Sequence, residues 1–342
     1  MPYVIAPNLR FGRSASLICM LCLLFCMTPN RLSAIGSSGM FATRVKFEYQ
    51  YSDYNQYKYP IIERSDSIRY EYVDPYIANF PEHRSLAKVI QSIGPITNLE
   101  LRYETSDLTS DKNQSRYYSR LDRDVTDMTN VYGAYQYLNI AYNSPDSAAS
   151  GGYMLSAGMK HDRSGWIKYE LSLSYDHNRA PDGFLTETVM PMAQIRWSVN
   201  SVTALNARWD GYYAENDSGI FNADAFTVFV SRYFPTQTAV HLFSRFYFSD
   251  IGITSFAPAI EVAQYIRWNL TGRLTYRYYQ NKYEDDAIPD FIEGDSIKSH
   301  SIRAYVEWQI GAAMKLHFKL RKYMGNQDIR MNTYLLGFEY EL

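Results

Sequence analysis

The sequence predicts an all-β fold, a transmembrane antiparallel up-and-down β-barrel of about sixteen strands behind a cleaved signal peptide. Three observations predict it. The chain opens with an export signal, its body alternates apolar and polar residues with period two, and long polar connections alternate with very short ones.

The export signal occupies the first residues. Arg10 and Arg13 stand without an acid beside them, an unbroken apolar run follows from Leu17 to Met27, and Leu32-Ser33-Ala34 supplies a small residue for cleavage. The run falls well short of the roughly 20 residues a spanning helix needs, so residues 1–34 read as a signal peptide and 35–342 as the barrel. Phe25 precedes Cys26 where a lipoprotein signal needs a small residue, which argues against lipidation.

Composition narrows the class further. Cys19, Cys22 and Cys26 all lie within the signal, so the mature chain is expected to carry no disulfide, thiolate metal site or Cys-attached haem. The signal also takes Arg10, Arg13 and Arg31 and no acid, which makes the formal net charge of −2 more negative and argues against a nucleic-acid partner. Tyrosine supplies 32 of 342 residues, a load that suits strands and membrane interfaces, where the ring seeks apolar contact and the hydroxyl seeks water.

Alternation is clearest at the C-terminus. Tyr334, Leu336, Phe338, Tyr340 and Leu342 form one face, opposed by Thr333, Leu335, Gly337, Glu339 and Glu341. Leu316, Phe318 and Leu320 oppose Lys315, His317, Lys319 and Arg321, and Leu274 and Tyr276 oppose Arg273, Thr275 and Arg277. No helix of 3.6-residue period gives this pattern.

A soluble sandwich alternates too, so connection lengths decide. Long links at Asn281 to Ser296, Ser249 to Phe256, Ala214 to Asn222 and His177 to Thr186 alternate with short ones at Gly311, Asn269, Pro235 to Gln237, Asn200-Ser201 and Asp162 to Ser164. Long outer loops and tight periplasmic turns mark a bacterial barrel. Trp166, Trp197, Trp268 and Trp308 all fall near a short turn and predict an aromatic girdle there. Tyr142, Tyr175, Tyr213, Tyr278, Tyr279, Tyr323 and Tyr334 fall near long-loop ends and predict the other.

The N-terminal half is less regular. Ser67 to Val73 reads as the second strand, the fourth is weak, and twelve to sixteen strands remain compatible with the pattern. Asp74 to Ile96 is long for a periplasmic turn. It carries Leu86, Val89, Ile90 and Ile93 at helical spacing before Gly94-Pro95, so a short helix at the barrel rim, or a plug, is expected at 74–96.

The ending Tyr-Leu-Leu-Gly-Phe-Glu-Tyr-Glu-Leu resembles the C-terminal strand of outer-membrane β-barrel porins, although Leu342 stands where that class usually has Phe. The resemblance covers Thr43 to Leu342 as an architecture and points to no subfamily. It implies a bacterial outer-membrane location, contact with membrane lipid and recognition by the barrel-assembly machinery, and it leaves monomer and homo-oligomer open.

Chemistry is sparse. His83, His161, His177, His241, His300 and His317 show no metal-ligand spacing, and the acids Glu284, Asp285, Asp286, Asp290, Glu293 and Asp295 do not follow a known calcium-loop spacing. No catalytic, metal or cofactor site is expected. The polar strand faces are more informative, since basic residues outnumber acids on them. Arg273, Arg277, Arg303, Lys315, Lys319 and Arg321, with Glu307 as the acid among them, should line a pore wall on three consecutive strands.

The expected function is a channel for passive diffusion of small hydrophilic solutes with weak anion selectivity, because sixteen strands enclose a water-filled lumen whereas eight are filled by side chains. Two alternatives remain at this stage: a structural barrel that sheathes a partner such as a periplasmic electron carrier, and a barrel-embedded hydrolase.

Overall fold

The computed structural model describes residues 42–55, 61–64, 67–70, 79–109, 112–142, 150–179, 185–216, 219–284, 296–326 and 330–342. The expected signal at 1–34 and most of the acidic link at 285–295 lie outside the described residues. The strands run β1 (Thr43–Asn55), β2 (Ile61–Arg64), β3 (Ser67–Tyr70), β4 (Asn79–Ser92), β5 (Thr97–Thr109) and β6 (Lys112–Thr126). They continue with β7 (Thr129–Tyr142), β8 (Ser150–Asp162), β9 (Ile167–Arg179), β10 (Leu185–Asn200), β11 (Thr203–Asn216) and β12 (Gly219–Phe234). The last are β13 (Thr238–Ser249), β14 (Ile253–Arg267), β15 (Leu270–Tyr283), β16 (Ser296–Ile310), β17 (Met314–Gly325) and β18 (Arg330–Glu341).

β1 and β4 to β18 close one antiparallel barrel, each strand beside its sequence neighbour, while β2 and β3 form a separate two-stranded sheet. The seam is a full ladder in which Arg44 faces Glu341, Phe47 faces Phe338 and Tyr51 faces Tyr334. The Phe47 and Phe338 rings sit 5.1 Å apart. Closure leaves no unpaired strand edge, which a barrel in hydrocarbon requires.

The sixteen-strand barrel agrees with the sequence, but its second strand does not. The barrel uses Asn79–Ser92, not Ser67–Val73, of which Ser67–Tyr70 pairs with Ile61–Arg64 outside the barrel. Within the segment expected to be helical, Asn79–Ser92 is therefore a spanning strand and residues 93–96 form the turn after it. Pairing with β1 explains why the periodicity misled: Val45, Phe47, Tyr49 and Tyr51 face Val89, Ala87, Ser85 and His83 on the outward side. Leu86 and Ile90 consequently point inward while Ser85 and His83 point to the membrane side. Both faces of β4 are mixed, and the surviving apolar spacing imitates a helix.

The strands also run further than the alternation. β11 ends at Asn216 and β12 begins at Gly219, and β13 ends at Ser249 with β14 resuming at Ile253, inside links that read as long loops. About 9–11 tilted residues suffice to cross hydrocarbon; beyond that belt both faces meet water, so the alternation fades while the backbone ladder continues. At the other rim the turns are as short as expected. Gly311 adopts φ +71° between β16 and β17, a left-handed conformation that glycine takes without Cβ strain.

The apolar face points outward. Leu173, Leu274, Val306, Phe318 and Leu336 are large, exposed and arranged around the outside, whereas their inward neighbours Thr275, His317 and Thr333 are buried. This inverts a soluble core and is the arrangement of a barrel solvated by lipid. Register builds an aromatic row that spacing along the chain does not show: Tyr103, Tyr117, Tyr137 and Tyr153 are successive cross-strand partners on β5 to β8, continued by His177 on β9.

Candidate functional site: the barrel lumen

The inward face is identified by side chains that reach over an intervening strand, which is feasible on the concave side of a sheet. His317 on β17 meets Glu48 on β1 at 2.8 Å, passing over β18. Arg303 on β16 lies 3.5 Å from Glu261 on β14. Tyr132 on β7 donates to Glu170 on β9 at 3.1 Å, and Arg245 on β13 donates to Tyr212 on β11 at 3.0 Å.

The strand crossed carries a small residue beneath these bridges. Gly337 lies under His317, where a Cβ would meet the imidazole and the Phe47 carbonyl oxygen, and Gly158 lies under the Tyr132 ring. Thr275 lies between Arg303 and Glu261 and donates to Glu261 at 2.8 Å. None of these pairings is visible from sequence distance, because the partners come together only through the register of the strand between them.

Of the residues expected to line a pore wall, the barrel brings five together. Arg303 lies within electrostatic reach of Arg273, Arg277 and Arg321, and Lys319 within reach of Arg303 and Arg321. Arg303 stands directly opposite Arg321, and Tyr305 opposite both Arg273 and Lys319. The Arg273 guanidinium sits 5.4 Å from the Tyr305 ring centre, within cation–π range. Lys315 and Glu307 face inward nearer the short turns. Lys315 pairs in register with Gln309 and Glu339, and Glu307 accepts the Tyr305 hydroxyl at 2.9 Å opposite His317.

The basic surface also extends to a strand the sequence did not identify. Lys319 is within electrostatic reach of Arg84 on β4. Arg84 and Arg102 each donate to the Glu104 carboxylate at 2.7 Å, and Arg116 lies 3.9 Å away. Glu104 is 4% exposed while Arg84 is 34% exposed, so the carboxylate anchors the cations from below and Arg84 keeps contact with water. The helical reading of 74–96 hid Arg84 and Lys88; a strict two-residue count of charges from Glu82 through Arg84 to Lys88 was the available signal.

Other lumen charges form short pairs: Lys88 with Glu100 at 2.9 Å, Arg120 with Asp122 at 2.7 Å, Arg208 with Asp210 at 2.6 Å and Lys168 with Asp162 at 2.6 Å. Several long cationic arms still end in water, with Lys168 53% and Arg303 42% exposed.

Trp166, Trp197, Trp268 and Trp308 are all exposed and cluster at the short-turn rim, Trp268 in the turn itself. At the opposite rim Tyr213 and Tyr334 face outward, but Tyr323 is buried on the inner face and Tyr279 shares that face, so these two leave the expected girdle. The histidines divide by strand parity. His83, His161, His177 and His300 face outward, His241 and His317 inward. Among the described residues no group of three or more His, Cys, Asp or Glu is placed to hold a metal ion.

No family model and no curated protein matches this chain. Solved structures do. The chain is similar to a bacterial polysaccharide outer membrane secretin, with TM-score 0.56 and 8% identity over 90% of this chain and 100% of that one. It is similar to CdiB from Acinetobacter baumannii, with TM-score 0.56 and 10% identity over 86% of this chain and 60% of that one. It is also similar to OccD3 (OpdP) from Pseudomonas aeruginosa, with TM-score 0.50 and 8% identity over 90% and 93% of the two chains. At this identity the likeness lies in the fold, and the fold is that of a bacterial outer-membrane β-barrel.

Proposed function

We propose that this barrel is a passive channel for small hydrophilic solutes across the outer membrane and that it favours anions. The reading is carried by the clustering of Arg273, Arg303, Lys319 and Arg321 on adjoining strands, continued by Arg84 from across the closing seam. Like charges set side by side cost stability, and Arg303 and Arg321 stand directly opposite each other on this wall.

Adjacent strands lie about 4.8 Å apart, so Arg273, Arg303, Lys319 and Arg321 on three successive strands fall within roughly one Debye length of each other and sum to a positive potential. A positive wall concentrates anions at its surface. Exposure of the Arg303 and Lys168 side chains fits a lumen that holds water.

Insertion into a planar lipid bilayer tests the reading. The folded protein, identified by a gel band that shifts on boiling, should give discrete ohmic conductance steps. Folded protein that inserts and gives no conductance would overturn it.

A further inference from the structure

The outer surface carries a second basic feature, at the long-loop rim and on one side only. Lys298 and His300 on β16, Lys322 on β17 and Arg330 on β18 occupy outward positions of three adjoining strands. Lys298, His300, Lys322 and Arg330 are exposed. Register places His300 opposite Met324 and Met324 opposite Arg330, so His300 and Arg330 are two strand spacings apart, about 10 Å. Lys298 is two residues from His300 on the same face, about 7 Å. Elsewhere on this rim, among the described residues, the outward positions include the acids Asp53, Asp107, Glu187 and Glu215 and the cations Arg179 and Lys282, the latter on β15 beside the patch.

The apolar belt runs without interruption up to this patch. Val306 and Ile302 lie below His300 on β16, and Phe318 and Leu320 lie below Lys322 on β17, all exposed. Tyr276 brings its hydroxyl 2.7 Å from His300 Nδ1 and holds the ring at the boundary. A molecule that uses both zones needs acyl chains for the belt and negative charge for the patch.

We infer that Lys298, Lys322 and Arg330, with His300 at their centre, bind the phosphate of an anionic lipid headgroup in the leaflet at the long-loop side. The stripe below the patch belongs to the lipid-facing belt, so an anion at this height is met as the headgroup of a lipid already lying against the barrel. A lipid seats its tails on Ile302, Phe318 and Leu320 and presents its phosphate at the height of the cations. Basic side chains near a negatively charged membrane surface attract such lipids in an additive and salt-sensitive way. The inference rests on the barrel fold and not on the channel reading.

The test is native mass spectrometry of the detergent-purified full protein mixed with bisphosphorylated lipid A or with phosphatidylcholine. The wild type should retain lipid A and release phosphatidylcholine. The triple variant Lys298→Gln, Lys322→Gln, Arg330→Gln should retain at least about tenfold less lipid A while keeping its boiling-sensitive folded band. Millimolar inorganic phosphate should leave the wild-type complex in place. Three results overturn the inference: equal lipid A retention by wild type and triple variant, equal retention of phosphatidylcholine by the wild type, or displacement by inorganic phosphate alone, which would make the patch a soluble-anion site.

Discussion

Arg303 on β16 and Arg321 on β17 are direct cross-strand partners on the inner face of the barrel. Like charges directly opposite each other weaken a strand pair, and the Glu261 carboxylate at 3.5 Å from Arg303 offsets part of the repulsion from the far side of β15. Arg321→Glu should therefore raise resistance to urea unfolding by about 0.5–1 kcal/mol while reducing anion preference in the same protein. A stability loss of that size would show that Arg321 is held by structure and not tolerated for its charge.

Glu104 predicts the reverse. Its buried carboxylate sits among Arg84, Arg102 and Arg116, and Glu104→Gln would leave those guanidiniums facing one another. The variant should lose roughly 2 kcal/mol in urea unfolding, less than a fully buried pair because the arginines retain contact with water. Arg84→Gln, which removes one of several donors, should cost less. If Glu104→Gln unfolds at the wild-type midpoint, the carboxylate does not organise this side of the lumen.

Gly337 makes room for the His317 ring on its way to Glu48. Gly337→Ala should destabilise the barrel by about 1–3 kcal/mol through overpacking, and part of that loss should disappear when His317→Ala is added, the contact with the Phe47 carbonyl oxygen remaining. Additive effects in this double-mutant cycle would mean that the two residues do not share the space.

The lipid and water faces can be told apart by the same insertion. Leu173 stands at the middle of β9 and is 55% exposed on the outside, whereas Gln136 stands near the middle of β7 on the inner face opposite Tyr118 and Met154. Leu173→Arg should cost roughly 2–4 kcal/mol or block assembly, because the charge enters hydrocarbon. Gln136→Arg enters the lumen and should refold into vesicles with close to wild-type yield. Comparable refolding yields for the two would mean the faces are assigned wrongly.

Legibility from sequence followed the solvent. Where one face meets lipid and the other water, as at Ile302, Arg303, Ala304 and Tyr305, the period of two is strong and the strand could be read directly. On β4, Leu86 and Ile90 point inward and Ser85 and His83 outward, so the alternation is blurred and the remaining apolar spacing matches a helix. At the strand ends near Asn216 and Ser249 water touches both faces, and extended ladders looked like loops. The basic wall on β15 to β17 was legible because its strands are consecutive in sequence. Arg84 and the bridge from His317 to Glu48 were not, since they depend on closure between the first and last strands and on the register of β18.

Whether the clustered cations set the preference of an aqueous lumen is measured directly by the reversal potential across a potassium chloride gradient. The wild-type channel should show a weak anion preference at low salt that fades as ionic strength rises. Arg273→Glu combined with Lys319→Glu should move the reversal potential toward cations. A cation preference in the wild type that the double variant leaves unchanged would mean that these cations do not set the selectivity.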